Sequence, residues 1–260
     1  MFALPAILAR LHPFERRKLA TDTIIGLVTD ESAAVRLGVL EVLGEVLYTF
    51  HGDQDGVPQD LLDLFLGRRI DLNSPHLSPN QEILDLFLQE PKRHLIRAFN
   101  YPAVVLALGK ERWKDMRDLY LSLAADSDFK VQRTLTASLG ELAGIIGEDN
   151  AQQDLMRVWR NALKSDEEEI RLKALEAVQV FSAALGRRAG CLIIEDILTT
   201  LDEGTFKTWR ERDCVAKLLR NVSRQGHQDI SSVIYSLLQR VLEDNVAAVR
   251  ESAAAAVGVY

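Results

Sequence analysis

Hydrophobic residues in the second half of the chain recur at every third or fourth position over segments of helical length, and short polar segments separate them. This spacing places the apolar side chains on one face of a helix. Two of these faces consist of Val131, Leu135, Leu139, Leu142, Ile145 and Ile146, and of Ile170, Ala174, Leu175, Val178 and Phe181. The segment before each polar stretch is amphipathic in the same way, so the pattern predicts repeated pairs of helices joined by tight turns.

The helix starts that follow the polar segments resemble one another and are evenly spaced. They read Val131-Gln132-Arg133, Ile170-Arg171, Trp209-Arg210 and Val249-Arg250. Their successive apolar residues are 39, 39 and 40 residues apart. A period of about 40 residues with helix-forming composition is typical of HEAT-type repeats. The sequence therefore predicts an all-α fold, a HEAT-repeat α-solenoid in which helical hairpins stack into a superhelix.

The first half of the chain follows this pattern only in part. Asp30 to Arg36 forms a similar helix start, but Val35 lies 96 residues before Val131, which is not a multiple of the period. Gly, Pro, Asn and Ser are dense between residues 52 and 81, which indicates loops. We therefore predict a HEAT-type repeat over residues 1–50, an irregular helical unit with loop insertions over 51–91, and regular repeats over 92–260. Because the chain stops inside a helix, its C-terminal end is expected to be truncated or uncapped.

Two local features of this region carry further expectations. A helix over residues 92–108 is expected to be interrupted at Pro102, because proline lacks the backbone N–H that a helix interior needs. The loop over residues 71–80 contains Ser74 and Ser78, each followed by proline. Ser-Pro is the minimal site of proline-directed kinases, although ordinary turn prolines are the simpler explanation.

Composition and charge exclude several classes of protein. The formal net charge is −7, which disfavours a nucleic-acid groove because phosphate binding needs clustered Lys and Arg. No uncharged apolar run approaches the roughly 20 residues that span a membrane. Two cysteines, Cys191 and Cys214, are too few for a disulfide framework and indicate a reducing compartment. We expect a cytoplasmic protein, with the nucleus as a further location, whose partners include no nucleic acid and no membrane.

Residues with catalytic or metal-binding potential are scattered along the chain. The five histidines form no HExxH motif, the cysteines are not paired at metal-ligand spacing, and no glycine-rich phosphate loop occurs. The sequence therefore predicts a protein with no enzyme activity, no cofactor and no metal. A solenoid is an elongated surface rather than an enclosed pocket, so its function is to be sought in its partners.

An arginine at each helix start accompanies an acidic residue in the preceding turn. One interpretation is a structural ladder, in which each Arg bonds an Asp of its own or the neighbouring turn and sets the stacking of the repeats. The alternative is a row of Arg side chains that grips an acidic partner. The ladder pairs are Asp30 with Arg36, Asp126 with Arg133, Asp166 with Arg171, Asp202 with Arg210, and Asp244 with Arg250.

The turns also carry aromatic and lysine residues that the ladder does not explain. Aromatic residues are enriched at interface hot spots, and the turns of a solenoid follow one of its edges. The candidate partner-binding residues are Phe129, Lys130, Phe206, Lys207 and Trp209. The alternative is that the three aromatic side chains belong to the core. Trp113 and Trp159 lie on apolar helix faces and are predicted to be core residues.

One stretch of the sequence resembles a known family. The segment Asn100-Tyr101-Pro102-Ala103-Val104-Val105 is its most distinctive part, and repeat-type sequence from Lys130 to Ala143 supports it. This stretch is similar to regulatory subunit 1 of protein phosphatase 4, which is related to the HEAT-repeat scaffold subunit of protein phosphatase 2A. The resemblance implies a non-catalytic subunit that binds a serine/threonine phosphatase catalytic subunit, of phosphatase 4 or 2A type, and directs it to substrates. In the related scaffold the turns between paired helices hold the catalytic subunit, which implies the same role for the candidate residues named above.

Two other classes of function stay open at this point. A HEAT-repeat transport or trafficking adaptor would bind cargo peptides or a small GTPase, and an acidic concave face would suit basic cargo. Repeated Trp and Asn residues along the second helices would favour that class, but this sequence lacks them. A cryptic enzyme would require clustered carboxylates with perturbed pKa values or a deep pocket.

Overall fold

The computed structural model describes residues 3–70, 81–223 and 231–257. All regular secondary structure within these ranges is helical, which confirms the predicted all-α fold. The chain divides into two compact units, Met1–Leu123 and Ala124–Tyr260. The boundaries predicted at residues 50/51 and 91/92 both fall inside the first unit. The predicted loop over residues 71–80, with Ser74 and Ser78, lies outside the described residues.

The first unit is centred on the packing of α3 against α6. Its helices are α1 (Leu4–Leu8), α2 (Pro13–Val28), α3 (Ala33–Tyr48), α4 (Gln59–Leu66), α5 (Gln81–Leu88), α6 (Arg93–Leu108) and α7 (Trp113–Ala124), with a 3₁₀ turn at Lys110–Arg112. Helix α3 also contacts α1, α2, α4 and α5. The close approach of α3 and α6 depends on Gly44, because a Cβ atom there would lie 2.5 Å from Cγ of Asn100.

The second unit is an α-solenoid of stacked helix pairs. Its helices are α8 (Phe129–Ala137), α9 (Leu139–Ile146), α10 (Glu148–Asn150), α11 (Met156–Leu163), α12 (Glu168–Ala184), α13 (Gly186–Asp202), α14 (Trp209–Ser223), α15 (Ser231–Leu242) and α16 (Ala247–Val257), with a π-helical turn at Ala151–Leu155. Helix α11 packs on α12 and α13, α12 on α13 and α14, and α14 on α15 and α16. The helices of this unit therefore pack mainly on others close to them in sequence, which is the nearest-neighbour arrangement of a solenoid.

The tryptophans predicted to be core residues are buried. Trp113 is 2% exposed and packs edge-on against Tyr120, with ring centroids 5.6 Å apart. Trp159 is 0% exposed, and its indole N–H donates to the carbonyl oxygen of Ala174 at 2.9 Å, which joins α11 to α12. A buried indole N–H needs such an acceptor. The prediction for both tryptophans is confirmed.

Pro102 lies inside α6, which is continuous from Arg93 to Leu108. The expected interruption at this proline is therefore wrong. A proline in a helix interior removes one backbone hydrogen bond and crowds the preceding turn. In α6 that cost is offset by packing, because Tyr101, Pro102 and Val105 are buried and the helix lies along α3.

Arg93 links α4 and α5 to α6. Its buried guanidinium donates to the carbonyl oxygens of Leu64 and Phe87, which lie near the C-terminal ends of α4 and α5. Those ends carry partial negative charge from the helix dipole, so a cation is favourable there. Helix α4 ends at Gly67, whose φ of 79° suits glycine, and a Cβ atom there would collide with the guanidinium of Arg97. The irregular part of the sequence is thus held by the helix that follows it.

Candidate partner-binding surface

The turns that precede the repeat helices share one hydrogen bond. In each, a long side chain early in the helix donates to the backbone carbonyl oxygen six residues earlier, at distances between 2.5 and 3.1 Å. The pairs are Arg36 with Asp30, Gln132 with Asp126, Arg171 with Ser165, Arg212 with Phe206, and Arg250 with Asp244. We call this the turn-closing bond. It fixes each turn against the helix that follows.

The turn-closing bond differs from the Asp–Arg ladder expected from the sequence. Arg36, Arg171 and Arg250 bond backbone carbonyls of their turns, and Arg171 also donates to the carbonyl of Asp166 at 2.9 Å. The carboxylates of Asp30, Asp126 and Asp244 instead accept the backbone N–H two residues later, each at 2.8 Å. A short Asp side chain reaches that N–H from its own turn, so the carboxylate is used for capping.

The turn before α14 corrects the register derived from the sequence. Arg212, rather than Arg210, makes the turn-closing bond there. The guanidinium of Arg210 lies over the ring of Trp209, 5.2 Å from its centroid, and Asp202 pairs with Arg240 at 2.8 Å. The position equivalent to the buried Val131, Ile170 and Val249 is therefore occupied by Glu211, which is 0% exposed.

Glu211 is a buried carboxylate in a position that is apolar in the neighbouring repeats. One of its oxygens accepts from Nε of Arg171 at 2.5 Å, and both side chains of this pair are almost fully buried. The other accepts the backbone N–H of Thr208 at 2.8 Å and the Thr208 hydroxyl at 3.0 Å. Thr208 and Glu211 thereby form a capping box at the start of α14. The charge is tolerated because both oxygens accept hydrogen bonds and one of them pairs with the Arg171 guanidinium.

Ion pairs also join successive repeats, but not in the Asp–Arg combinations that the ladder predicts. Each pair links residues between 32 and 40 positions apart, which corresponds to about one repeat. They are Arg133 with Glu169, Arg160 with Asp196, Lys164 with Glu203, Arg171 with Glu211, Arg212 with Asp244, and Arg240 with Asp202. Most are exposed and worth little singly. Arg171–Glu211 and Arg212–Asp244 are the most buried of this series.

The pKa of Asp244 is lowered by its position in this series. Burial alone would raise the pKa, but hydrogen bonds from Arg212 and from the backbone N–H of Val246 favour the ionised form and more than offset it. The guanidinium Nε lies 2.6 Å from one carboxylate oxygen, and the Val246 nitrogen 2.8 Å from the other. Asp244 therefore stays ionised and bonded on both oxygens.

The candidate partner-binding residues differ in exposure. Phe206 is 3% exposed and belongs to the core, as the alternative interpretation allowed, and Phe129 is half-buried. Lys130 and Lys207 are exposed, and Trp209 is 41% exposed.

Lys207, Trp209 and Arg210 form one exposed surface at the start of α14, which we call the turn patch. No ion pair of Lys207 or Arg210 occurs within the described part of the chain. The sequence pattern alone did not reveal the place of Arg210 in this patch or the roles of Glu211 and Arg212. The spacing Thr208-x-x-Glu211 is a capping-box signature, and it would have placed the start of α14 in the correct register.

Within residues 3–70, 81–223 and 231–257, no group of three or more His, Cys, Asp or Glu side chains is arranged to hold a metal ion. No helix in that part of the chain is both long and apolar enough to cross a bilayer. Cys191 and Cys214 are free thiols, and burial, together with the nearby carboxylate of Glu176, raises the pKa of Cys214 to about 11.

Comparison with known proteins agrees with the resemblance seen in the sequence. Residues 97–200 match the family described as the protein phosphatase 4 regulatory subunit 1 middle domain. Human and mouse serine/threonine-protein phosphatase 4 regulatory subunit 1 are each 29% identical to this chain over 201 residues, which is 76% of this chain. The chain spans 20% of the length of these curated relatives. A crystal structure of an engineered protein covers 98% of this chain and 94% of its own at 14% identity, but its TM-score of 0.37 is too low to define a shared fold.

Proposed function

We propose that this chain, a relative of regulatory subunit 1 of serine/threonine-protein phosphatase 4, is a regulatory and scaffold segment without catalytic activity of its own. It binds a serine/threonine phosphatase catalytic subunit, of phosphatase 4 or 2A type, and directs that enzyme to protein substrates. The observation that carries this proposal is the match of residues 97–200 to the middle domain of that family. The proposed location is the cytoplasm, with the nucleus as a second compartment.

The turn patch is the part of the candidate surface best suited to hold the catalytic subunit. Trp209 is a large apolar side chain that stays 41% exposed, and Arg210 lies over its ring. Trp and Arg are the residues most enriched among interface hot spots. Both stand on the first turn of α14, which the Glu211 capping box and the Arg171 ion pair hold in place. A surface fixed before binding loses little conformational entropy when a partner docks.

The charge of the turn patch indicates which kind of surface it fits. Lys207 and Arg210 are both cationic, and Lys130 adds an exposed cation in the first turn of α8. A complementary surface on the catalytic subunit would carry acidic side chains around an apolar depression that accepts Trp209. Phe206, which is buried, stabilises the turn from within and does not contact the partner in this proposal.

The proposal is tested by capture of purified phosphatase 4 and phosphatase 2A catalytic subunits on the immobilised chain. Trp209→Ala is expected to weaken binding about thirtyfold, because removal of an aromatic hot spot costs about 2 kcal/mol. Lys207→Glu is expected to weaken binding and to change its salt dependence. Tyr235→Ala is the matched control, since Tyr235 is an aromatic residue that is 71% exposed on α15, away from the turns.

The results of this experiment distinguish an error in the proposed phosphatase function from an error in the proposed role of the turn patch. Capture that all three variants leave unchanged would support the phosphatase function and contradict the role of the turn patch. Failure to capture either catalytic subunit, with cargo peptides or a small GTPase bound instead, would overturn the phosphatase function and favour a transport adaptor. Circular dichroism of each variant shows that lost binding does not reflect unfolding.

A further inference from the structure

A cleft of about 280 Å³ opens between α9 and α12, away from the turn patch. Ala137, Gly140, Ala177 and Val180 supply its apolar lining, and Glu141, Lys173 and Glu176 its polar rim. We call it the α9–α12 cleft. Every one of these residues belongs to the second unit.

Small residues keep this cleft open. Helix α8 ends at Ala137 and α9 begins at Leu139, with Ser138 between them outside helical geometry at φ −97° and ψ 4°. Gly140 brings α9 close to α12, because a Cβ atom there would lie 2.8 Å from Cβ of Val180. Beyond that contact, Val180 remains 59% exposed, which is unusual for an aliphatic side chain on a packed helix.

The rim of the cleft carries a net negative charge. Lys173 pairs with Glu176 at 2.6 Å, so those two charges compensate each other. Glu141 is exposed and has no ion pair among the residues that the structure describes. The cleft therefore combines an apolar lining with one uncompensated carboxylate at its edge.

We propose that the α9–α12 cleft binds the side chain of an arginine or lysine in an extended basic segment of a partner protein. The aliphatic part of that side chain covers Ala137, Ala177 and Val180, and its cationic group reaches the carboxylate of Glu141. Long cationic side chains bury their methylene groups on apolar surface while the charge stays at a polar edge. A volume of about 280 Å³ lies just below the usual range for small-molecule sites, so it suits one side chain better than a cofactor.

Charge complementarity selects this occupant over others. An acidic or phosphorylated segment would meet the unpaired carboxylate of Glu141 at short range. A wholly apolar side chain would desolvate that carboxylate without giving it a partner. A guanidinium or ammonium group both fills the apolar space and compensates the charge. The inference rests on the proposed function in one respect, since the segment would belong to a protein that the phosphatase acts on or assembles with.

The test uses the full chain labelled with ¹³C at alanine and valine methyl groups. The probe is the peptide acetyl-Gly-Ala-Arg-Ala-Gly amide, and the matched peptide carries citrulline, which keeps the shape of arginine but lacks its charge. The arginine peptide is expected to shift the methyl signals of Val180 and Ala137 in a saturable manner. The citrulline peptide is expected to bind about fivefold more weakly, as the loss of one partly exposed ion pair implies.

Two variants locate the site. Glu141→Gln is expected to reduce affinity for the arginine peptide about fivefold and to leave affinity for the citrulline peptide unchanged. Glu195→Gln, which removes an exposed carboxylate from α13 on a different surface, is the control and is expected to change neither affinity. Both substitutions are at exposed positions, and the methyl spectrum itself reports the fold.

Equal binding of the two peptides, or equal effects of Glu141→Gln and Glu195→Gln, would overturn the proposal. Absence of any shift at Val180 with the arginine peptide would overturn it as well. Capture of the phosphatase catalytic subunit is measured separately and does not use these peptides. Failure of the cleft can therefore be told apart from failure of the proposed function.

Discussion

At the scale of single residues, Glu211 shows how a charge is accommodated in the core of a repeat. The equivalent positions in the repeats on either side hold Ile170 and Val249, both buried. Glu211 replaces an apolar contact with an ion pair to Arg171 and a cap on the backbone of Thr208. The burial of Glu211 is therefore stabilised by a partner in the preceding repeat, Arg171, and not by the hydrophobic effect.

Removing the carboxylate of Glu211 should destabilise the protein more than its size suggests. Glu211→Val leaves the buried Arg171 guanidinium without its anion, which typically costs about 3 kcal/mol of unfolding free energy. Adding Arg171→Gln should recover at least about 1 kcal/mol, because Gln132 already makes the turn-closing bond in the preceding repeat. Urea denaturation of both variants measures the difference. Glu169→Gln, in an exposed ion pair, is the control and should cost less than about 0.5 kcal/mol. A double variant no more stable than Glu211→Val would contradict this account.

Asp244 predicts a dependence of stability on pH. Its pKa in the folded protein is lowered, so the folded state favours the ionised form more strongly than the unfolded state does. The resulting stability is complete above the ordinary aspartate pKa of 3.8 and is lost as the pH falls through the lower folded value. Asp244→Asn should therefore cost about 1–2 kcal/mol at pH 7, and the difference from the unsubstituted protein should shrink below about pH 4. Thermal melts of both proteins across this range test it. A difference that grows as the pH falls would reverse the sign and refute the argument.

At the scale of helices, two glycines on the same helix differ in their surroundings: one allows a close helix contact and the other faces open space. Gly140 and Gly144 lie four residues apart on α9. A Cβ atom at Gly140 would meet Val180 and the backbone nitrogen of Phe181 on α12, whereas one at Gly144 would meet nothing within 4 Å. The effect of an added methyl group on stability therefore depends on which of the two glycines receives it.

The two glycines give a matched pair of substitutions. Gly144→Ala should raise the unfolding free energy by about 0.5–1 kcal/mol, since alanine favours the helix and has room. Gly140→Ala should lower it by about 1–3 kcal/mol, because the added methyl group overlaps a neighbouring backbone. Chemical denaturation of the two variants decides between them. If both changes shift stability in the same direction, the close packing of α9 on α12 is not the controlling factor.

The helices were predictable from the sequence to the extent that their apolar periodicity was unbroken. Val131, Ile170 and Val249 are buried helix-start residues in the expected places. The third start was misplaced by two residues because Trp209 is apolar and Glu211 is charged, while the structure exposes the first and buries the second. A charged residue can be buried only with a partner, and that partner, Arg171, lies 40 residues away. The local spacing of Thr208 and Glu211 marks the helix start, but it does not show that Glu211 is buried against Arg171 or which turn residues face outward.

At the scale of the whole chain, the helices of the second unit pack mainly on helices close to them in sequence. In a solenoid, stability is approximately a sum over repeats and the interfaces between adjacent repeats. A substitution at one helix interface should then lower the local stability of the adjacent helices and leave that of distant helices unchanged.

Gly44→Ala tests this locality. The added methyl group would collide with the side chain of Asn100, so packing between α3 and α6 should weaken. Hydrogen–deuterium exchange of the full chain should become faster in α3 and α6 and stay unchanged in α12, α14 and α16. Gly26→Ala, on α2 with no atom within 4 Å of the added methyl group, serves as the control. Uniformly faster exchange in both units would mean that the chain unfolds as one cooperative body.

The Arg171–Glu211 pair also has a mechanical consequence. Separating this pair would leave two buried charges without a partner, which costs several kcal/mol. The joint between α12 and α14 should therefore resist small displacements and then yield abruptly. The joint between α8 and α12 has an exposed pair, Arg133 with Glu169, and should yield gradually. Under tension the interfaces of the solenoid would therefore differ in stiffness. The α12–α14 interface would resist extension and then separate abruptly, and the α8–α12 interface before it would extend gradually.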